Sequence, residues 1–153
     1  MAGNKIRIAE FGPRRNAWVF HGDFPYTHGE YEYHGFDDDA SHIERMRRKT
    51  LRLGLADVEF HRADVKRLAT ERKFNVVFMQ NFLTDPNVFP RVGDHLRAAL
   101  KIMKRNGEIR VRHTGIWGMP DRFEELLAEA AAGLKLKIEG RHSPLSRQWV
   151  LRR

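Results

Sequence analysis

The sequence contains no cysteine, which excludes a disulfide framework, a thiolate zinc site, an iron–sulfur cluster and a cysteine nucleophile. It also lacks any run of about 20 apolar residues that could span a bilayer, and its N-terminus lacks the apolar segment of a secretory signal. No internal repeat or low-complexity tract is present. We therefore expect a soluble, cytoplasmic protein with no membrane partner.

The composition fits a single globular domain over residues 1–153. With 41% hydrophobic and 31% charged residues, the chain can bury one sizeable core. The net charge is +8, and it is uneven: four Lys/Arg stand against seven Asp/Glu up to Ala40, and 24 against 13 from Ser41 onward. A basic protein favours acidic partners, so an acidic substrate, another small molecule and a nucleic acid all remain open as partners. The oligomeric state is left open.

The order of the predicted elements indicates an α/β fold. Apolar alternation and breakers predict strands at 5–11, 31–36, 57–64, 74–82 and 107–113, and a C-terminal antiparallel hairpin of 135–141 and 147–153. Helices are predicted between Ser41 and Gly54, over 64–73, over 88–105 and over 119–134, with Pro120 in the first turn of the last. Ser41 and Glu44 have the spacing of a capping box, and Asp39 is the alternative cap of this helix. Strands alternating with helices predict a doubly wound, mostly parallel sheet.

The segment between the first two strands breaks this rhythm. Gly22, Pro25 and Gly29 would interrupt any long helix there, so the first crossover helix is predicted to be short or absent. The segment and the strand after it also carry a dense set of aromatic residues: Trp18, Phe20, Phe24, Tyr26, Tyr31 and Tyr33. We expect them to fill the core in place of the missing helix, and a lid that stacks on a base is the alternative.

Five short motifs occur in the order of the predicted strands. EFGPRRN (10–16), DDD (37–39) and HRADV (61–65) lie at the ends of the first three strands, FNVV (74–77) lies in the fourth, and KRNG (104–107) is the predicted turn before the fifth. Together they resemble the class I S-adenosylmethionine-dependent methyltransferases, and the resemblance covers nearly the whole chain. In that family an acidic, glycine-rich turn (E/D-x-G-x-G-x-G) follows the first strand. Here the glycine motif is degenerate, because only its first glycine, Gly12, is kept.

The resemblance implies a Rossmann-like methyltransferase fold, S-adenosylmethionine as cofactor, and a transferase activity. An acidic residue after the second strand binds the ribose hydroxyls in that family, and Asp37 stands there; a carboxylate can accept two hydrogen bonds from a diol. The family's adenine contacts match Asp64 and Val65. The full set of cofactor-binding residues predicted in this way is Glu10, Gly12, Arg14, Asn16, Asp37, Asp38, Asp64, Val65 and Gln80.

Arg14 and Asn16 stand where the family has glycines. Glycine permits positive φ and close approach of the backbone to a ligand, so these side chains should narrow the pocket unless the loop is redrawn. Asparagine tolerates a left-handed conformation better than arginine does. Two interpretations of Arg14 stay open: a cation for the carboxylate of the cofactor or of an anionic substrate, and a solvated loop charge.

The catalytic candidates are Asn81, Asp85 and His113, which end or follow the fourth and fifth strands, where open α/β sheets bind ligands. His113 is the best general-base candidate because its ordinary pKa lies near neutrality, and a structural histidine is the alternative. Direct in-line methyl transfer needs mainly placement of donor and acceptor.

A second hypothesis is a catalytically inactive, methyltransferase-like binding module. Arg14, Arg15 and the missing helix favour it, and a basic face would engage nucleic acid or an acidic partner. Arg45, Arg48 and Arg52 share one face of the first predicted helix, which suits either a phosphate backbone or a solvated surface. No metal site is predicted, because neither the 37–39 aspartates nor His21, Asp23 and His28 have a convincing ligand spacing.

Overall fold

Seven strands form one mixed sheet in the computed structural model, which describes residues 4–14, 16–68, 70–114, 118–144 and 146–153. The strands are β1 (Ile6–Phe11), β2 (Tyr31–Asp37), β3 (Val58–Arg62), β4 (Phe74–Gln80), β5 (Met103–Thr114), β6 (Lys137–Gly140) and β7 (Ser146–Arg152). Their order is β3-β2-β1-β4-β5-β7-β6. The first five pair in parallel, and β7 runs antiparallel to β5 and β6. The predicted α/β sheet with a C-terminal antiparallel hairpin is confirmed.

Helices cover both faces of this sheet. They are α1 (Ala40–Leu53), α2 (Val92–Ile102) and α3 (Phe123–Gly133). Along β1, Ile8 belongs to the core that α1 covers, whereas Ala9 and Phe11 belong to the core under α2 and α3. Successive side chains of a strand point to opposite faces, so one short strand contributes to both cores. In the part of the chain that the structure describes, no helix is long and apolar enough to cross a membrane.

Among the described residues of the connection between β1 and β2, a single 3₁₀ turn, Trp18–Phe20, stands in place of a crossover helix. The Trp18 ring stacks on Phe78 with 4.0 Å between centroids, and Phe24 packs edge-on against it at 5.2 Å. Trp18 and Tyr33 are almost fully buried. The predictions of a short or absent helix and of aromatic residues filling its place are therefore confirmed.

The structure decides between the two predicted caps of α1. Asp39 is the N-cap: its Oδ1 accepts hydrogen bonds from the backbone N–H groups of Ser41 (2.8 Å) and His42 (3.2 Å). The Ser41 hydroxyl also donates to this oxygen, and that bond is the main reason why the pKa of Asp39 is lowered. The capping box at Ser41 and Glu44 is therefore wrong. Gly54 ends the helix with φ of 65°, as predicted.

Two predicted helices are shorter in the structure. In the segment after β3, the described residues form a 3₁₀ turn, Val65–Arg67, and no longer helix. Helix α3 begins at Phe123, so Pro120 precedes the helix instead of lying in its first turn. Arg15, which favours the binding-module hypothesis, lies outside the described residues, as do residues 115–117.

The helix predicted over 88–105 is also shorter. It consists of a 3₁₀ turn followed by α2, which ends at Ile102, and β5 begins at the next residue. Met103 pairs with Phe74, and the register of β4 and β5 then shifts before Val76 meets Glu108. Residues 104–107 thus belong to an irregular part of β5, and the predicted turn at KRNG is wrong. Sheet pairing here outweighs the helical pattern of the sequence.

Candidate functional site

Two adjoining clefts lie at the carboxyl ends of β1, β2 and β4, where the strand order reverses between β2-β1 and β1-β4. The first has a volume of about 370 Å³ and the second about 300 Å³, and Gly12, Arg14 and His42 contribute to both. All nine predicted cofactor-binding residues line one or both of these clefts. The first cleft is lined by Gly12, Arg14, Asp37, Asp38, Asp64 and Val65. The second cleft is lined by Glu10, Gly12, Arg14, Asn16 and Gln80. These are the residues that the resemblance to the methyltransferases assigns to the cofactor.

Asp37 ends β2 and connects the turn after β1 to the start of α1. Its Oδ2 accepts the backbone N–H of Arg14 at 2.9 Å, and its Oδ1 accepts the backbone N–H of Asp39, also at 2.9 Å. The side chain is only 5% exposed, and His42 Nδ1 lies 3.5 Å from Oδ1. A carboxylate oxygen can accept more than one hydrogen bond, so Asp37 retains acceptor capacity toward the cleft.

Asp64 and Val65 form the far wall of the first cleft. Asp64 caps the 3₁₀ turn after β3, with Oδ1 accepting the backbone N–H of Lys66 at 3.0 Å, and its side chain is partly exposed. Val65 is nearly buried and offers an apolar surface. Asp38 is exposed at the mouth of the cleft, and its backbone carbonyl accepts a hydrogen bond from Arg62 Nε at 3.3 Å.

The backbone conformation and the neighbouring Phe82 ring both require a glycine at position 12. Its φ is 62°, and its N–H donates to the Phe36 carbonyl at 2.8 Å. A Cβ atom at this position would overlap the ring of Phe82, which packs over the turn and also lies edge-on to Phe11 and His95. Phe82 therefore occupies part of the space above the one glycine that the motif retains.

Arg14 adopts the left-handed conformation that the family motif assigns to glycine, with φ of 56°. Its guanidinium forms an ion pair with Asp85 and so links the β1 turn to the segment after β4. Its charge is therefore not simply a solvated loop charge. Asn16 is exposed, and its backbone N–H donates to the Pro13 carbonyl at 3.2 Å.

Arg14→Gly is expected to give a protein about 1 kcal/mol more stable than Arg14→Ala, because both variants lose the ion pair and only alanine keeps the left-handed strain. Urea unfolding of the two variants measures the difference. The same pair of substitutions at Arg45, an exposed position within α1, is the control, and there alanine should be the more stable. Equal stabilities at position 14 would show that its backbone relaxes without cost.

Glu10 lies in the wall of the second cleft but is only 1% exposed. Its Oε1 accepts hydrogen bonds from the Trp18 backbone N–H at 2.7 Å and from the Tyr33 hydroxyl. Burial raises the pKa of Glu10 to about 7, although both hydrogen bonds act in the other direction. Burial, followed by the neighbouring Glu10, raises the pKa of Tyr33 well above its usual range. Through its hydrogen bond to Trp18, Glu10 thus links the irregular β1–β2 connection to β1.

Asn81 ties the end of β4 to the end of β5. It adopts φ of 52°, its Oδ1 accepts the Thr114 backbone N–H at 2.8 Å, and its Nδ2 donates to the Thr114 hydroxyl at 3.2 Å. Gln80 Oε1 accepts a hydrogen bond from Arg112 at 2.8 Å. The side-chain amides of Asn81 and Gln80 thus hydrogen-bond to residues of β5 and hold the ends of β4 and β5 together.

The other two catalytic candidates are placed differently. Asp85 lines the first cleft, with Oδ1 accepting the Asn87 backbone N–H at 2.8 Å. His113 Nδ1 lies 2.9 Å from the Thr84 hydroxyl, and His113 is absent from the described walls of both clefts. The structure thus brings Asp85 and Asn81 to the clefts with the predicted cofactor residues but does not bring His113 into them.

Arg112 supports the wall of the second cleft through its hydrogen bond to Gln80, and sequence reasoning missed it. It is 8% exposed, donates to Asp23 and Gln80, and lies over the Phe78 ring at 5.0 Å. No sequence signal singles it out, because Arg110 stands two residues earlier in the same strand and also alternates with apolar residues. The Arg112 partner Asp23 lies 89 residues away in the chain, which no local pattern reveals. His42, Phe82 and His95 line the clefts and were also missed.

A family model described as a methyltransferase domain matches residues 22–141. The chain belongs to this family. The matched part of the methyltransferase domain begins after the turn that carries Gly12 and Arg14, so the match does not depend on the degenerate glycine motif. It includes β2 with Asp37, the 3₁₀ turn with Asp64, and β4. No curated protein sequence matches the chain.

Solved structures show the same fold at low identity. A ribosomal protein L11 methylase from Lactobacillus delbrueckii subsp. bulgaricus is 10% identical over 98% of this chain and 71% of its own, with a TM-score of 0.73. An O-methyltransferase family protein from Burkholderia thailandensis is 12% identical over 97% and 51%, with a TM-score of 0.76. A DhpI–SAH complex is 14% identical over 97% and 76%, with a TM-score of 0.69. The methyltransferase domain therefore has the Rossmann-like class I fold.

Proposed function

We propose that the protein binds S-adenosylmethionine across the two adjoining clefts and transfers its methyl group to an acceptor molecule. The observation that carries the proposal is the convergence of all nine predicted cofactor residues on these clefts, at the point of the sheet where strand order reverses. Open α/β sheets bind ligands at this point. The DhpI–SAH complex shows that a related domain holds the demethylated form of this cofactor.

The chemistry of the clefts suggests an orientation for the cofactor. The adenine would lie against Val65 with its amino group toward the exposed carboxylate of Asp64, and the ribose hydroxyls would donate to Asp37. The methionine moiety would then extend past Gly12 into the second cleft, toward Gln80. This arrangement leaves the methyl group near the end of β4.

Methyl transfer itself would be a direct displacement. The cofactor would supply an electrophilic methyl carbon, and a lone pair of the acceptor would displace the sulfur from it, so that the sulfonium becomes a neutral thioether. Positioning of the two reactants contributes most of the rate in such a step. Asp85 is the group placed to receive an acceptor proton, and it must first exchange its ion pair with Arg14. The acceptor's identity is not implied by the fold, because the related proteins differ in what they methylate.

The inactive binding module is the second candidate, and two observations favour it. The Arg14–Asp85 ion pair spans the first cleft, and Phe82 packs over Gly12 where the backbone should meet the ligand. Both groups would have to shift to admit the cofactor. In this hypothesis the basic surface, including the exposed Arg45 and Arg52 on α1, engages a nucleic acid or an acidic protein.

Calorimetric titration with S-adenosylmethionine and S-adenosylhomocysteine, at low and moderate salt, distinguishes the two functions. We expect micromolar binding, and Asp37→Asn and Asp64→Ala should each weaken it about tenfold or more by removing an acceptor for a ligand hydrogen bond. Glu71→Gln is the control, because this exposed residue precedes β4 at the opposite edge of the sheet. Thermal unfolding of each variant checks that the fold is kept.

If millimolar S-adenosylmethionine gives neither a heat of binding nor a higher unfolding temperature, the methyltransferase hypothesis is excluded. Salt-dependent binding of nucleic acid would then support the inactive binding module. Binding that is unchanged in Asp37→Asn and Asp64→Ala would mean that the assigned pocket is wrong. With binding established, transfer of an isotopically labelled methyl group to candidate acceptors tests the reaction.

A further inference from the structure

Two histidines and a glutamate meet on the paired strands β2 and β3, away from the described walls of the two clefts. His34 faces Glu59 across the strands, and His61 lies two residues further along β3 on the same face. His34 Nδ1 lies 2.9 Å from His61 Nε2 and 3.6 Å from a Glu59 carboxylate oxygen, which is itself 3.5 Å from His61 Nε2. Three potential metal donors thus form a compact triangle.

The size of this triangle suits a small divalent transition-metal ion. Tetrahedral Zn²⁺ binds imidazole nitrogen and carboxylate oxygen at about 2.0–2.2 Å, which separates neighbouring donors by roughly 3.4 Å. The two distances to Glu59 already have this value. The nitrogen–nitrogen distance is that of a hydrogen bond and would have to open by about half an ångström.

The surroundings of His34 prepare Nδ1 to act as a ligand. The imidazole is 4% exposed, lies edge-on to Phe74, and has its Nε2 2.8 Å from a Glu32 carboxylate oxygen. The hydrogen bond from His34 is the largest cause of the lowered pKa of Glu32. A metal-bound histidine commonly donates its other N–H to a carboxylate, which leaves the ligating nitrogen unprotonated.

The charges around the triangle are largely balanced. Arg72 donates to the same Glu32 oxygen at 2.8 Å and lies 3.1 Å from His34 Nε2, and Arg47 is held by the Phe60 backbone carbonyl. The carboxylate of Glu59 has no arginine or lysine partner among the described ion pairs.

We propose that His34, Glu59 and His61 bind one divalent transition-metal ion of the Zn²⁺ class. Imidazole donors favour Zn²⁺ and similar ions over Mg²⁺ and Ca²⁺. Glu59 and His61 are partly exposed, so the ion can enter from solvent and keep water at its remaining position. The bound ion would cross-link the edge strand β3 to β2, the strand that ends in Asp37.

Titration of tag-free, chelator-treated protein with Zn²⁺ in a calorimeter tests the proposal. We expect one ion per chain and a higher unfolding temperature in Zn²⁺ that excess chelator reverses. His61→Ala and Glu59→Gln should each weaken binding about tenfold or more, because each removes one of three ligands at an exposed position. His28→Ala, which removes an exposed histidine outside the cluster, should bind as the unmodified protein does.

Cobalt gives an independent readout. Co²⁺ bound to the three ligands should show the intense visible absorption of a four-coordinate site, and this should disappear in His61→Ala. Absence of stoichiometric Zn²⁺ binding would overturn the proposal. Binding of undiminished affinity in both His61→Ala and Glu59→Gln would also overturn it, because the ion would then be held elsewhere on the chain.

Discussion

Glu10→Gln is expected to stabilise the protein above neutral pH, by about 3 kcal/mol more at pH 8 than below pH 4.5. The folded protein raises the pKa of Glu10 from 4.5 to about 7 because the carboxyl group is buried. Below 4.5 the group is protonated in both folded and unfolded states, so burial carries no ionisation penalty. Between 4.5 and about 7 only the unfolded state releases the proton, and stability falls as pH rises. Above about pH 7 the difference in unfolding free energy between the two proteins no longer changes with pH.

Glutamine is a suitable probe because its amide oxygen can still accept from the Trp18 N–H and the Tyr33 hydroxyl. The variant therefore removes the ionisation while retaining the anchor of the β1–β2 connection. Urea unfolding of both proteins at several pH values between about 4 and 8 gives the difference in unfolding free energy directly. Effects of the other titrating groups appear in both proteins and cancel.

Glu71→Gln serves as the control for this measurement, since Glu71 is exposed and should show no comparable pH-dependent gain. A Glu10→Gln effect of equal size at low and high pH would contradict the raised pKa. It would mean that Arg112 and the two hydrogen bonds, which favour the ionised form, outweigh burial.

The sheet and the edge that carries the clefts could be predicted because their signals are local. Alternation along 5–11 and the stop at Gly12-Pro13 mark β1, and Asp85-Pro86-Asn87 follows the apolar run of β4 in the same way. Residues that follow parallel strands meet at one edge, so Gly12, Asp37 and Asp64 could be grouped without coordinates.

The contacts that shape the clefts depend on strand order and register, which no local pattern specifies. Arg14 and Asp85 are 71 residues apart, and His34 and His61 are 27 apart. Competing local signals caused the remaining errors. Asp39 and Ser41 are both good helix caps, and the helical pattern before Gly107 continues beyond the point where Met103 joins the sheet.

Gly12→Ala is expected to destabilise the protein by about 2–4 kcal/mol, the second large effect. Two costs add: a non-glycine residue at φ of 62° is strained by about 1 kcal/mol, and the added methyl group overlaps the Phe82 ring, which costs a further 1–3 kcal/mol as overpacking. The ring can escape only by turning away from Phe11 and His95, toward the first cleft that it lines. We therefore also expect weaker binding of S-adenosylhomocysteine.

A double-variant cycle separates the two costs. In a Phe82→Ala background the overlap is absent, so Gly12→Ala should cost only the backbone strain, about 1 kcal/mol, and the coupling energy from urea unfolding should exceed about 1 kcal/mol. An equal cost in both backgrounds would show that Phe82 does not limit this position. In that case the kept glycine would be explained by its left-handed backbone alone, and Phe82 would have no part in holding the turn at the mouth of the two clefts.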